Sequence, residues 1–405
     1  MSRLEVRPSS SLEEMQKALA AIGHYFGMER KPEAVERFAR NLPVERMHGA
    51  WENGAIVGGA GVFPLELAVP GGNVRAAGVT VVGVQPTHRR RGVLRAMMRE
   101  QLDDVHARGE PVAFLWASEE TIYGRFGYGL ASLAGEIDLP RERAAFAVPV
   151  AERGQARIVD ADEAAETFPS IYDQVWPARP GMFARSENWW RHRKLDDPPE
   201  SRWGGGPLNR VLLELNGEPA GYALYRITQS FEQGVTAGSV RILEAFGVTP
   251  AATAATWRFV LDIDWTSRYT ASLLPIDHPL FLLLAEPRRM RFRIGDALWV
   301  RLVDVEAALS ARSYLGEGEI TFEVEDAFCL WNEGHWRVTP SGAERTDSPG
   351  EIALDVRHLG SVYLGGFTFR ELSEAGRIVE LEPEAIARAD ALFRTDVAPW
   401  CPEIF

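Results

Sequence analysis

The stretch VTVVGVQPTHRRRGVLRAMMREQLDDVHARG, residues 79 to 109, decides the fold. It opens on an apolar strand, turns through Arg89, Arg90 and Arg91, passes Gly92 and continues as an amphipathic helix. Leu94, Met97, Met98, Leu102 and Val105 recur at helical spacing on one face, with arginines and aspartates on the other. The continuous apolar run PVAFLWAS follows and predicts a buried strand parallel to the one before the helix. At such a strand–turn–helix junction, backbone N–H groups point outward with the positive end of the helix dipole behind them. Cations are unfavourable there unless an anion offsets them, and Gly92 lets a ligand approach the backbone. A pyrophosphate is the natural occupant. The plainer alternative is a solvated first helical turn.

Working outward, 405 residues exceed one ordinary core, so two or three domains are expected. Hydrophobic residues at 46% and charged residues at 25% describe a globular chain. The net charge of -13 argues against a surface that grips nucleic acid and suits cationic small molecules or basic protein segments. Cys329 and Cys401 form neither a metal spacing nor a disulfide framework, and the 8 histidines are scattered, so no metal is expected. No signal pattern or apolar span is visible, and the expectation is a cytoplasmic protein with no membrane partner.

Residues 3 to 8 read as a short edge strand, and SLEEMQKALAAIGHYF as a helix capped by serine. HGAWENGAIVGGAGVFPLELAVPGGNVRAAGVTVVGV alternates apolar runs with Gly and Asn turns, as an antiparallel meander does. From QARIVDADEAAETFPSIYDQVW onward the order repeats, with a hairpin around Asn216-Gly217 and a strand–loop–helix at GSVRILEAFGVTPAATAATWRFVLDI whose loop carries no arginine. Beyond residue 292 the character changes: RLVDVEAALSARSY reads as a helix, EITFEVED, GHWRVTP and EIALDVRHLGSVYLGG as strands, and two helices follow. RRMRFR reads as a solvated strand edge, and Trp189 and Trp190 as packing residues. The expected division is 1–150, 151–292 and 293–405.

The arginine turn lacks the Gly-Lys-Ser/Thr of a Walker loop and the G-x-G-x-x-G of a dinucleotide fingerprint. It resembles the acyl-coenzyme A loop of GNAT acetyltransferases. PTHRRRGVLRAMM with LWASEETIYGRFGYGLAS downstream is similar to the Eis (enhanced intracellular survival) branch of that superfamily, and the resemblance extends over the whole chain. It implies an α/β and α+β architecture: two tandem GNAT-like mixed-sheet domains, the second without a coenzyme loop, then a sterol-carrier-protein-like domain whose C-terminus reaches the active site.

The implied activity is direct transfer of acetyl from acetyl-coenzyme A to primary amines of polycationic small molecules such as aminoglycosides, without a covalent enzyme intermediate. Val82, Gly83 and Val84 would offer backbone groups to the pantetheine arm, and Arg90, Arg91, Gly92, Val93, Leu94 and Arg95 would form the pyrophosphate loop. Ser118 and Glu119 match a position bordering the coenzyme, although Ser118 reads equally as a helix cap. His88 reads as an exposed turn residue that could touch phosphate. Tyr123 is the implied general acid, the alternative being a core tyrosine. The Phe405 carboxylate is the implied general base, the alternative being a hydrophobic tail that merely docks. Phe26 and Glu29 are candidate acceptor-pocket residues. The resemblance also implies a hexamer. Lysine side chains as acceptors, longer acyl donors, or a non-catalytic coenzyme A or lipid carrier are the rival functions.

Overall fold

The computed structural model describes residues 4–27, 31–152 and 154–405. The meander forms as its sequence dictates: Leu4–Pro8 (β1), Met47–Glu52 (β2), Ala55–Val69 (β3) and Gly72–Val84 (β4) pair antiparallel in chain order. Between β1 and β2 run Leu12–Gly23 (α1), capped by the Ser11 side chain, and Pro32–Ala39 (α2). The arginine turn leads into Val93–Ala107 (α3), and Val112–Trp116 (β5) then lies parallel to β4. Met97, Met98, Leu102 and Val105 bury one face of α3, as the spacing predicts, together with Val93 and Gln101. Glu120–Tyr123 (α4) and the two-residue strand Gly129–Leu130 (β6) end this stretch.

The chain then changes sheets. Leu133–Pro140 (β7), expected within a first domain running to residue 150, is instead a strand of the second sheet. Gln155–Ile158 (β8), Ala161–Tyr172 (α5) and the short helix Glu187–Trp189 (α6), which runs on as a π-turn to Lys194, follow. The Asn216-Gly217 turn joins Asn209–Leu215 (β9) to Glu218–Thr228 (β10), and Phe231–Glu232 (β11) with Val235–Thr236 (β12) form a small separate hairpin. Ser239–Gly247 (β13), Pro250–Leu261 (α7) and Arg268–Leu274 (β14) make the second strand–helix–strand crossover, with β13 and β14 parallel. Leu280–Leu283 (α8) and Arg293–Asp296 (β15) complete the second sheet, whose order is β15-β7-β14-β13-β10-β9-β8.

The segment read as the start of a helix at 301 begins as a strand. Leu298–Leu302 (β16) inserts between β5 and β6, giving the first sheet the order β1-β2-β3-β4-β5-β16-β6. LWVRL is buried on nearly every side chain, which a central strand requires and a helix end does not. The helix starts only at Val305–Ala311 (α9), capped by Asp304. Ile320–Glu325 (β17), Gly334–Thr339 (β18), Gly342–Thr346 (β19), Ile352–Asp355 (β20) and Val379–Glu380 (β21) form a five-stranded sheet. Val356–Tyr363, read as part of a strand, is a helix (α10): the Asp355 side chain accepts from Arg357 N–H and ends the strand there. Phe369–Glu374 (α11) and Ala385–Phe393 (α12) close around Phe322, Phe369 and Phe393, whose rings lie 5.0–5.8 Å apart.

Two compact units result. One holds residues 1–132, 297–396 and 404–405; the other holds 133–296 and 397–403. The expected boundaries at 150 and 292 therefore cut through the sheets, because β7 and β16 each pair with a sheet other than the one nearest in sequence. Among the described residues, no helix is long and apolar enough to cross a membrane.

His48, His278 and His358 are buried, and desolvation holds their imidazoles down to about 4, 3 and 4. Neither ring nitrogen of His48 has a hydrogen-bond partner, and the Asp104 carboxylate is 3.9 Å from its Nε2. An unfolded imidazole takes up a proton near pH 6.5, so between that pH and 4 the unfolded chain binds more protons. Stability should be full above pH 6.5 and fall as the pH drops toward 4, by roughly 3 kcal/mol from His48 alone. Urea midpoints measured from pH 7.5 to 4.5 should decline, and His48→Phe should flatten the slope.

Candidate active site

The first sheet opens where its parallel strands part. The β4–β5 ladder pairs Ala76 with Val112, Ala77 with Ala113 and Gly78 with Phe114, then stops, while β4 continues to Val84 and β5 to Trp116. On its other edge β4 carries a bulge, since the register with β3 shifts between Gly59–Gly83 and Gly61–Thr80. Val81 sits in that bulge with φ of +48°, a left-handed conformation that costs a β-branched residue about 1–3 kcal/mol. A bulge of this kind takes backbone groups out of the ladder and aims them elsewhere. Of the three strand-end residues expected to face a coenzyme, Val82 lies in the bulge beside Val81. Gly83 lies beneath α1, where a Cβ would come within 2.8 Å of the Ile22 backbone. The Val84 carbonyl accepts from the Tyr25 hydroxyl at 2.8 Å.

Beyond β4, Gln85 donates from its backbone to Val57 and from its side chain to Ile56, fixing the exit of the turn. His88 Nε2 lies 3.1 Å from Glu52, and the Arg91 guanidinium donates to the same carboxylate at 2.7 Å. Arg91 and His88 thus brace the loop, with Glu52 as their shared partner. Arg89 and Arg90 are exposed, the latter in the left-handed region at φ +60°. Gly92, at φ +84°, caps α3 without any side-chain hydrogen bond, and the first turn contains no acid. A Cβ built on Gly92 would meet nothing within 4 Å, so open space lies before the helix N-terminus. Val93 is buried and Leu94 half-buried, anchoring the turn to the sheet, while exposed Arg95 lies 5.2 Å over the Phe328 ring. Free N–H groups, uncompensated arginines and open space together fit a pyrophosphate.

Tyr123 ends α4 and is 7% exposed. It packs with Ala77, Val79, Met98, Ala113 and Leu115, on the face of the sheet that α3 covers. Burial, and then the Glu119 charge, push its phenol up to about 12. Ser118 and Glu119 are exposed beside it; Glu119 holds the cap position and no side chain caps this helix, so Ser118 is not the cap. Phe405 lies on the opposite face. Its ring is 4.9 Å from Phe114 and 6.4 Å from Phe63, and a Cβ on Gly78 would come within 3.3 Å of it. Phe63 in turn meets Phe38 of α2 at 5.4 Å. Tyr123 and Phe405 therefore flank the point at which β4 and β5 separate, one on each face of the sheet.

Phe26 is 56% exposed at the end of the turn after α1, and Glu29 lies outside the described residues. Sequence reasoning missed Glu52 and Val81. An acid in the WENG turn gave no hint of a partner far along the chain, and nothing in VTVV marks a bulge. The second sheet repeats the parting strands but not the loop: only Val248 and Thr249 separate β13 from α7, and Thr249 caps the helix itself.

Residues 5–131 and 181–302 match models of the acetyltransferase (GNAT) domain, and residues 305–402 match the sterol carrier protein domain. A protein of Streptomyces coelicolor described as an uncharacterized N-acetyltransferase is 44% identical over 94% of both chains. N-acetyltransferase Eis of Mycobacterium bovis is 37% identical over 86% of both. The crystal structure of Eis1 from Mycobacterium abscessus superposes with a TM-score of 0.87 at 34% identity, covering 99% of this chain and 100% of that one. This chain belongs to the Eis-like GNAT N-acetyltransferases, with two GNAT domains and a C-terminal sterol-carrier-like domain. Membership implies an acyl-coenzyme A donor and an amine-bearing acceptor.

Because Gly92 needs a positive φ but has open space around it, Gly92→Ala should cost about 1 kcal/mol through the backbone alone. Gly92→Asn, which tolerates the left-handed region, should recover part of that loss in urea unfolding.

Proposed function

We propose that this N-acetyltransferase uses acetyl-coenzyme A to acetylate primary amines of polycationic small molecules, aminoglycosides among them, with Tyr123 as general acid and the Phe405 carboxylate as general base. The observation that supports this reading is the packing of the Tyr123 and Phe405 side chains on opposite faces of the sheet where the β4–β5 ladder stops. An acceptor amine arrives as an ammonium and must lose a proton before it attacks. A terminal carboxylate accepts that proton through water. The nitrogen then bonds to the thioester carbonyl carbon and sheds its second proton to water, the carbon–sulfur bond breaks as the tetrahedral intermediate collapses to the amide, and the Tyr123 hydroxyl gives its proton to the departing thiolate. The resulting phenolate regains a proton from solvent.

Val82 and its neighbours in the bulge would orient the pantetheine arm. Arg90 and Arg95, with the first N–H groups of α3, would hold the pyrophosphate, and Arg91 would keep the loop in place through Glu52. Ser118 and Glu119 would border the coenzyme, and Phe26 the acceptor. The net charge of -13 favours cationic acceptors.

Release of free thiol from acetyl-coenzyme A, measured with a panel of aminoglycosides, polyamines and lysine peptides, tests the reading. Polyamine or aminoglycoside turnover is the expected result; turnover restricted to lysine peptides or to longer acyl donors would replace the substrate assignment. Tyr123→Phe should lower kcat about 10²–10³-fold with little change in KM. Since the phenol is held up to about 12, it stays protonated well past its ordinary range near 10. No alkaline loss of kcat from its ionisation should appear below about pH 11. Removing Phe405 should lower kcat at least 100-fold, because the new terminal carboxylate is displaced by one residue, about 3.5 Å.

A further inference from the structure

The second sheet parts as the first does, but a segment of this same chain fills its opening. The β13–β14 ladder runs from Ser239–Arg268 to Ile242–Ala271, and beyond it Trp400 and Pro402 line one crevice with Leu243–Phe246 and Ser272–Leu274. Trp400 stacks on Phe246 at 5.3 Å, donates its indole N–H to the Leu273 carbonyl at 2.5 Å, and donates its backbone N–H to Pro180 at 2.7 Å. Leu273 has φ of +58°, as a strained strand residue does where the backbone is re-aimed. Cys401 and Pro402 are buried.

Glu403 then enters a closed charge network. Its carboxylate lies 3.0 Å from Arg185, 3.5 Å from Lys194 and 3.0 Å from the Trp189 indole N–H. Arg185 also donates to Glu244 at 2.5 and 3.1 Å, Lys194 pairs with Glu244, and the Tyr222 hydroxyl donates to Glu244 at 2.8 Å. The Arg185 guanidinium is fully buried, 4.1 Å over the Tyr172 ring. Arg185 and Lys194 thus share Glu244 and Glu403, and without Glu403 positive charge would be left uncompensated out of water. Burial alone would raise the Glu403 carboxyl, but Lys194, Arg185 and Arg193 together overcome it and keep the group ionised.

We propose that the coenzyme-less cleft of the second GNAT domain is a clamp for the C-terminal segment, with Glu403 and Trp400 as the positioning residues that fix Phe405. Only Ile404 separates Glu403 from Phe405, so two residues at about 3.3–3.6 Å each confine the terminal carboxylate to within roughly 7 Å of an immobile anchor. Ile404 itself is 59% exposed and cannot supply that restraint. A general base works through its placement, and the segment that ends in it is held at Trp400 and Glu403. The catalytic half of this proposal rests on the terminal base proposed above.

Two readouts separate the clamp from the base. Carboxypeptidase A release of Phe405 from the intact protein reports how firmly the terminus is held, and thiol release with a polyamine reports catalysis. Glu403→Gln, and Trp400→Phe, which keeps the ring but removes the indole donor, should each speed Phe405 release at least 10-fold. Each should also lower kcat at least 10-fold while leaving the Kd for coenzyme A within twofold. Trp400→Phe serves if Glu403→Gln fails to fold. Wild-type release rates in a folded variant would overturn the clamp. Faster release with unchanged kcat would uphold the clamp and overturn the terminal base.

Discussion

Everything at the site follows from a parallel ladder that stops after three pairings. β4 and β5 are joined only from Ala76 to Gly78, and beyond that point the ladder between them ends. A parallel pair that diverges must leave N–H and C=O groups without ladder partners, a condition a protein tolerates where a ligand or a chain segment replaces them. The bulge at Val81 extends this on the opposite edge of β4, and Gly92 extends it into the turn. The same divergence recurs between β13 and β14, where the replacement is the chain's own C-terminal segment.

The two openings differ in the length of one loop. Gln85 through Gly92 gives room for arginines and for N–H groups that point at open space. Val248 and Thr249 give none, and Thr249 itself takes up the first donors of α7. A duplicated fold can thus lose a phosphate site by shortening a turn while its strands keep the capacity to receive an extended segment. Arg185 and Lys194, in the second unit, hold a side chain of the same polypeptide rather than a diffusible ligand.

What the sequence revealed was local. The amphipathic face of α3, the Ser11 and glycine-marked turns, the hairpin at Asn216-Gly217 and the arginine loop are all written within a few residues of each other, and the structure bears these elements out. Sheet membership is different. LAGEIDLP and LWVRL have ordinary strand patterns, and nothing within them says which sheet they join. VRHLGSVYL carries enough β-branched and aromatic residues to pass for a strand until Asp355 is seen to cap it. The pairing of Glu52 with Arg91 and His88 and the burial of Glu403 depend on segments far apart in the chain. Only tertiary structure brings them together.

The insertion of β16 between β5 and β6 has a consequence for biosynthesis. β5, the apolar run VAFLW, ends at Trp116, and the strand that covers its open edge begins only at Leu298. At about 5–20 residues per second, a ribosome needs on the order of 10–40 s to deliver that partner. Throughout that interval the nascent first domain presents a fully hydrophobic, unpaired edge, the kind of surface that adds foreign strands. The growing chain therefore carries that edge uncovered until the second GNAT domain has been made.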